Sequence, residues 1–286
     1  MNGASTPRSA LALAAARGAG RRLGALLQDH PPAGARRWDR RNHRGATVTL
    51  LEGPTAALAV AAGSLAARPP YRGAGVVAAL GAGAFGALDD LTERIGDRDA
   101  GARGLRGHLE ALRRRRVTTG AWKVLGIGAT GLAAAVVTDR PRTVGQAFDT
   151  LVGGALVAGS ANLLNLFDLR PGRAAKVATV VAVSLAVGAP GSAGAAAARP
   201  CAAAVLGTCS AVLPDDLAGR SMLGDTGANA LGGVLGVAAL ARWDRPGRCL
   251  ALATVVGLTL ASERISFSRV IESVPVLREL DRLGRP

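Results

Sequence analysis

The chain has 286 residues, of which 35 are Lys or Arg and 20 are Asp or Glu, so its formal net charge is +15. Hydrophobic residues make up 49% of the chain, and they are concentrated in blocks of roughly 17–25 residues, the length of a membrane-spanning helix. Because the charges lie between these blocks, the pattern excludes an ordinary soluble enzyme and a disordered basic tail. Aromatic residues are only 3%, which leaves few side chains to stack on bases, so no nucleic-acid partner is expected.

Residues 1–45 are predicted to form an N-terminal partial or interfacial helix and a basic cytoplasmic segment. The apolar stretch from Ser9 to Ala16 is too short to span a bilayer and is followed by Arg17. Basic residues precede the apolar core in a secretory signal peptide, so this order does not fit one. We expect either an interfacial helix or the end of a first spanning helix, followed by the basic stretch 36–44.

Residues 46–262 are predicted to form an all-α transmembrane domain, a polytopic bundle of eight or nine membrane-spanning helices. Their Gly and Ala content suits close helix packing in lipid. A cytoplasmic tail, 263–286, follows. The predicted spans are 46–67, 73–91, 117–138, 145–167, 174–190, 195–213, 227–241 and 247–262.

The distribution of Arg and Lys predicts the orientation of these helices. The loop 92–116 contains the run Arg113 to Arg116, and we therefore place it in the cytoplasm. Such a run is typical of a topology determinant, and it is also compatible with holding a phosphorylated lipid. Alternation then places 168–176, 214–226 and 263–286 on the same side.

Carboxylates lie at the ends of three predicted spans, all on the predicted cytoplasmic side. Asp89 and Asp90 end one span, Asp168 ends another, and Asp225 opens a third. Each acid alone is compatible with a solvated helix end, but charges at membrane depth are costly and mark functional sites. Carboxylates without His or Cys neighbours suit Mg²⁺, which takes oxygen ligands and leaves room for phosphate.

Two amides and several glycines accompany these acids. Asn162 and Asn165 lie about one helical turn apart, so they are expected to face the same site. Glycines around Asp225 would let backbone N–H groups approach a phosphate at a helix start. The sequence therefore predicts a Mg²⁺-dependent site for a phosphate or diphosphate group.

These motifs resemble those of the polyprenyl-phosphate N-acetylhexosamine-1-phosphate transferases, the family that includes phospho-N-acetylmuramoyl-pentapeptide transferase. The family motif Asp-Asp-x-x-Lys is similar to residues 89–93, and the motif Asn-x-x-Asn-x-x-Asp-Gly is similar to residues 162–169. The motif Gly-Asp-x-Gly-Ser is similar to residues 224–228, and the stretch 119–123 resembles one that carries an active-site Lys. Motif order and spacing agree over residues 46–262.

The resemblance implies a membrane enzyme of bacterial cell-envelope polysaccharide or peptidoglycan synthesis, with its active face in the cytoplasm. Such an enzyme transfers a sugar-phosphate from a UDP-amino sugar to polyprenyl phosphate, requires Mg²⁺ and releases UMP. A homodimer is a further expectation. The implied roles are catalytic for Asp89, Asp90 and Asp168, metal-binding for Asp225, and substrate-binding for Asn162, Asn165 and Lys123, and we expect Lys176 to bind substrate too.

The chain departs from the family pattern at several positions. Glu93 stands where the family has Lys, Leu169 replaces Gly, and Ala228 replaces Ser. The segment 267–280 has no histidine, whereas the family carries a His-rich segment there. These departures favour an alternative, a catalytically degenerate relative that binds polyprenyl phosphate or regulates an envelope enzyme.

Two other classes of protein remain as alternatives. A transporter could use intramembrane carboxylates for a proton or cation path, but here the acids cluster at one predicted face and no internal repeat is evident. A nucleic-acid binder would need its basic residues outside a membrane, and detergent-free solubility would support it.

Overall fold

The computed structural model describes residues 5–42, 45–92, 119–189 and 191–286. Within this part the chain forms eleven α-helices, as the all-α prediction requires, and most begin and end within a few residues of the predicted spans. The helices are α1 (Ser5–Asp29), α2 (Glu52–Ser64), α3 (Tyr71–Thr92), α4 (Thr119–Asp139), α5 (Val144–Asn165), α6 (Arg173–Ala186), α7 (Ala193–Leu217), α8 (Gly224–Arg242), α9 (Arg245–Ser262), α10 (Phe267–Ser273) and α11 (Pro275–Arg282).

A short β-hairpin, which the sequence analysis did not anticipate, precedes α2. Its strands β1 (Asp39–Arg41) and β2 (Thr47–Thr49) pair antiparallel. The backbone of Thr49 also hydrogen-bonds to the segment before α8, accepting from the N–H of Met222 at 3.0 Å. The β-branched run of β2 favours an extended strand. Because residues 47–49 form this strand, the helix α2 occupies only residues 52–64 of the predicted span 46–67.

Among the residues that the structure describes, three helices, α3, α5 and α7, are long and apolar enough to cross a bilayer by themselves. A fourth candidate combines α9 with α10, which are bent relative to each other by 90°. The predicted count of eight or nine spans is not confirmed. Helices α2 and α6 have only 13 and 14 residues, and at 1.5 Å per residue they rise about 20 Å, less than the roughly 30 Å hydrocarbon core.

Helix α8 lies at the centre of the bundle and packs against α2, α3, α5 and α7. Almost all of its residues are buried, in keeping with a composition that is mainly Gly, Ala, Val and Leu beyond its first turns. Helix α3 approaches α8 closely at Gly86, where a Cβ atom would lie 2.4 Å from the carbonyl oxygen of Asp225. This close approach brings the C-terminal end of α3 to the N-terminal end of α8.

Some features of the sequence analysis lie outside the described residues. These are Glu93, most of the predicted cytoplasmic loop 92–116 and its run Arg113 to Arg116.

Candidate functional site

Lys123 links two of the carboxylates that the sequence analysis singled out. Its Nζ lies 3.3 Å from Oδ2 of Asp89 and also contacts Oδ2 of Asp225. The three residues come from α4, α3 and α8, and their side chains are 14%, 22% and 20% exposed. One ammonium group faces two carboxylates, so the cluster has a net negative charge and electrostatically favours a further cation.

Asp90 holds the N-terminal end of α8. Its carboxylate accepts hydrogen bonds from the backbone N–H groups of Asp225 at 3.1 Å and Thr226 at 2.9 Å. These donors have no partner within the helix, so a buried carboxylate is a favourable cap for them. Gly224 makes the approach possible, because its φ is +58° and a Cβ atom there would lie 3.0 Å from Oδ2 of Asp90. Asp90 thereby positions Asp225.

Asp168 lies in the turn after α5 and also contacts the start of α8. The backbone N–H of Gly224 lies near its carboxylate and lowers the pKa of Asp168. Its Oδ2 atom is buried and has no hydrogen-bond partner in the described part of the chain. Burial raises the pKa of Asp168 well above its usual range, and the neighbouring carboxylate of Asp216 raises it further.

Asn162 and Asn165 line a cleft of about 470 Å³ together with Asp89 and Lys123. Glu263, which the sequence analysis did not select, lines the same cleft. Polar groups are thus gathered in a cavity whose remaining wall is largely apolar. The apolar part includes Val124, Ile127, Leu166 and Leu260. A cavity of this mixed character suits an amphiphile with a charged head and a hydrocarbon chain.

Lys176 lies elsewhere, against the C-terminal segment. Its Nζ donates hydrogen bonds to the backbone carbonyls of Leu280 at 3.2 Å and Asp281 at 2.7 Å. The lysine therefore holds the last residues of α11, and the structure does not join it to the cluster of Lys123. Its substrate-binding role stays a prediction.

Two further buried carboxylates, Glu52 and Asp216, lie within electrostatic reach of Asp168. Oε1 of Glu52 and Oδ2 of Asp216 are buried without a hydrogen-bond partner among the residues that the structure describes. Glu52 also accepts a hydrogen bond from Ser221. Neither acid was among the predicted site residues, although Glu52 is the single carboxylate within the predicted span 46–67 and intramembrane acids are functional candidates.

The donor atoms at the cluster of Lys123 are compatible with Mg²⁺. Within the described ranges, no group of three or more His, Cys, Asp or Glu side chains is arranged to hold a metal ion. Mg²⁺ is, however, commonly bound by one or two carboxylates together with substrate phosphates and water. Asp89 and Asp225 provide two carboxylates around one cation, the ammonium of Lys123. The pair therefore fits a Mg²⁺ ion that arrives with a phosphorylated substrate.

Comparison with models of known protein families gives no match to this chain, and comparison with curated protein sequences gives none either. Any functional conclusion therefore depends on the residues of the site and on the motifs that they form.

Proposed function

We propose that this chain is an integral-membrane glycosyl-1-phosphate transferase. It transfers a sugar-phosphate from a UDP-amino sugar to polyprenyl phosphate and releases UMP, during synthesis of peptidoglycan or another envelope polysaccharide. It lies in the bacterial plasma membrane with eight or nine spans and its site at the cytoplasmic face. The observation that carries the proposal is the contact of Lys123 with both Asp89 and Asp225, beside a largely apolar cleft that Lys123 and Asp89 line.

The mixed character of the cleft supports a lipid phosphate as acceptor. The apolar wall provides a surface for the start of a polyprenyl chain, since burial of apolar area is favourable. The ammonium of Lys123 provides a charge for the phosphate. Asn162 and Asn165 both line the cleft from α5 and can donate amide N–H groups to phosphate or nucleotide oxygens.

The proposed reaction is a phosphoryl transfer. An oxygen of polyprenyl phosphate attacks the phosphorus that carries the sugar, and the bond from this phosphorus to the bridging oxygen breaks, so that oxygen leaves with UMP. Asp89 orients the attacking phosphate or accepts its proton, and Lys123 offsets the charge that develops on the phosphoryl oxygens. Asp225 and Asp89 would hold a Mg²⁺ ion, which would supply further positive charge at the diphosphate.

The degenerate relative is the alternative, and one observation favours it. Ala228 replaces the family's serine and is completely buried in the second turn of α8. No hydroxyl is therefore available at that position. In this alternative the cleft binds polyprenyl phosphate without turnover.

Exchange of labelled UMP tests the proposal. The purified protein is reconstituted in proteoliposomes with polyprenyl phosphate and a panel of UDP-amino sugars, with and without Mg²⁺. We expect Mg²⁺-dependent label in one UDP-sugar, and its loss in Asp225→Asn. The matched control is Asp149→Asn, which removes a carboxylate paired with Arg245 at the other end of α5. No exchange with any donor, in a preparation that still binds polyprenyl phosphate, would favour the degenerate relative.

A further inference from the structure

The C-terminal helices α10 and α11 are attached to the bundle by polar contacts. Arg173, at the start of α6, donates from Nε and Nη2 to the two carboxylate oxygens of Asp281 at 2.7 and 3.0 Å. Its Nη1 donates to Oγ of Ser268 at 2.8 Å. The Arg173 side chain is only 3% exposed and that of Asp281 9%. The face of α11 that contains Asp281 is therefore the face turned toward the protein.

Other contacts hold the same segment on the turn between α5 and α6. The rings of Phe167 and Phe267 stack with centroids 4.8 Å apart. Arg285 donates to the carbonyl of Pro171 at 2.8 Å and pairs with Asp281. The segment is thus fixed in orientation relative to the bundle.

The opposite side of α11 is apolar and exposed. Val276, Leu280 and Leu283 are 68%, 56% and 67% exposed. Their spacing, four and then three residues, places them in one stripe along the helix. An amphipathic helix in water normally turns its apolar stripe inward, and this helix does the reverse. The medium outside α11 should therefore be apolar.

We infer that α10 and α11 lie along the surface of the lipid bilayer, with the stripe of Val276, Leu280 and Leu283 in the boundary between headgroups and acyl chains. The 90° bend between α9 and α10 supports this placement for α10, because a helix perpendicular to a membrane-spanning α9 would run parallel to the membrane plane. This inference depends on the membrane location proposed above, but it does not depend on transferase chemistry.

Two features identify lipid as the occupant. Helix α9, which the structure describes completely, also has no buried residue, and its Leu250 and Leu260 are more than half exposed. Exposed arginines, Arg264, Arg269 and Arg282, lie in the same C-terminal segment, 263–286. Apolar side chains flanked by arginines match the acyl boundary and the anionic headgroups of a bilayer.

Site-specific quenching tests the inference on the full-length protein. Cys249, the exposed native cysteine, is first replaced by Ser. A fluorophore is then attached at Leu280→Cys or, as a matched control two residues further on a different face of the helix, at Arg282→Cys. We expect brominated lipid in reconstituted nanodiscs to quench the label at position 280 at least about threefold more than at 282, and aqueous iodide to show the opposite order. Equal access of iodide to both labels would overturn the inference.

A second copy of the chain is the competing occupant. In a dimer, the label at position 280 would be protected from iodide, and this protection would disappear when the protein is diluted into excess lipid. Two Leu280→Cys copies would also form a disulfide cross-link. These two results together would show that a dimer interface, and not the bilayer, covers the stripe. Measuring UMP exchange on the same samples separates the proposals. Quenching without exchange would contradict the transferase and leave the membrane-surface placement intact.

Discussion

Asp90 and Thr226 are joined by two hydrogen bonds to the same carboxylate oxygen. Oδ2 of Asp90 accepts from the backbone N–H of Thr226 at 2.9 Å and from its hydroxyl at 2.6 Å. The bonds connect the end of α3 to the first turn of α8. Because Asp89 and Asp225 are the adjacent residues in each helix, this connection sets the separation of the two carboxylates that share Lys123.

Loss of the Asp90 carboxylate should therefore disturb stability and site geometry together. Asp90→Ala leaves buried backbone donors of α8 without an acceptor, at a cost of about 2–3 kcal/mol, since hydrogen bonds to a charged group contribute about 1.5–3 kcal/mol each. We expect a clear fall in the thermal unfolding midpoint in detergent. Asp90→Asn keeps one acceptor oxygen, so its unfolding midpoint should fall less than that of Asp90→Ala.

Thr226→Val provides the control for Asp90. It removes the hydroxyl donor and leaves the backbone N–H contact, so we expect a loss of about 1 kcal/mol. If the unfolding midpoint of Asp90→Ala equalled that of wild type, the capping role would be contradicted. Asp90 would then keep only its predicted catalytic role.

The Lys123 cluster should respond to divalent cations in a way that does not require turnover. Lys123→Ala leaves Asp89 and Asp225 facing each other without the ammonium between them, so like-charge repulsion destabilises the variant. Mg²⁺ can replace the missing charge. We expect Mg²⁺ to raise the unfolding midpoint of Lys123→Ala more than that of wild type.

A triple variant isolates the two carboxylates in this experiment. In Lys123→Ala with Asp89→Asn and Asp225→Asn, the Mg²⁺-dependent shift should vanish. If the shift persisted in the triple variant, the ion would bind elsewhere, and the metal role predicted for Asp225 would be wrong.

How much of this arrangement could be predicted differs from one residue to another. That Asp89 and Asp225 share a site is expected only from their motifs and from their common predicted side. Helix positions could be anticipated, because the length of an apolar block is a local sequence property. The capping role of Asp90 could not, since it depends on the tertiary contact of α3 with α8. Lys176 shows the same limit, because its partners at 280 and 281 are about 100 residues away.

Close packing at Gly86 should be needed for the site. In Gly86→Ala the new Cβ atom would lie 2.4 Å from the carbonyl oxygen of Asp225, so α3 and α8 must separate. We expect a loss of about 1–3 kcal/mol, the usual cost of overpacking, measured by thermal unfolding. Gly257→Ala in α9 is the matched control, because nothing lies within 4 Å of its Cβ position. Helix propensity makes that change neutral or slightly stabilising. Equal effects of both substitutions would contradict the packing argument.

Attachment of the C-terminal segment should depend on the charge of Asp281. Burial by itself would raise the pKa of Asp281, but hydrogen bonds from Arg173 and Arg285 outweigh it and hold the pKa below the usual range. An aspartate whose pKa is lowered by folding stabilises the folded state fully above its unfolded value of about 3.9. This stabilisation is lost as the pH falls through the lowered folded-state pKa.

We therefore expect amide hydrogen exchange in residues 263–286, corrected for intrinsic rates, to be equal at pH 7 and pH 5 and to rise below about pH 4. Asp281→Asn should show fast exchange at every pH, whereas Glu279→Gln, which changes a neighbouring exposed carboxylate, should behave as wild type. Slow exchange in Asp281→Asn at pH 7 would show that the stacked rings of Phe167 and Phe267 hold the segment without the ion pair.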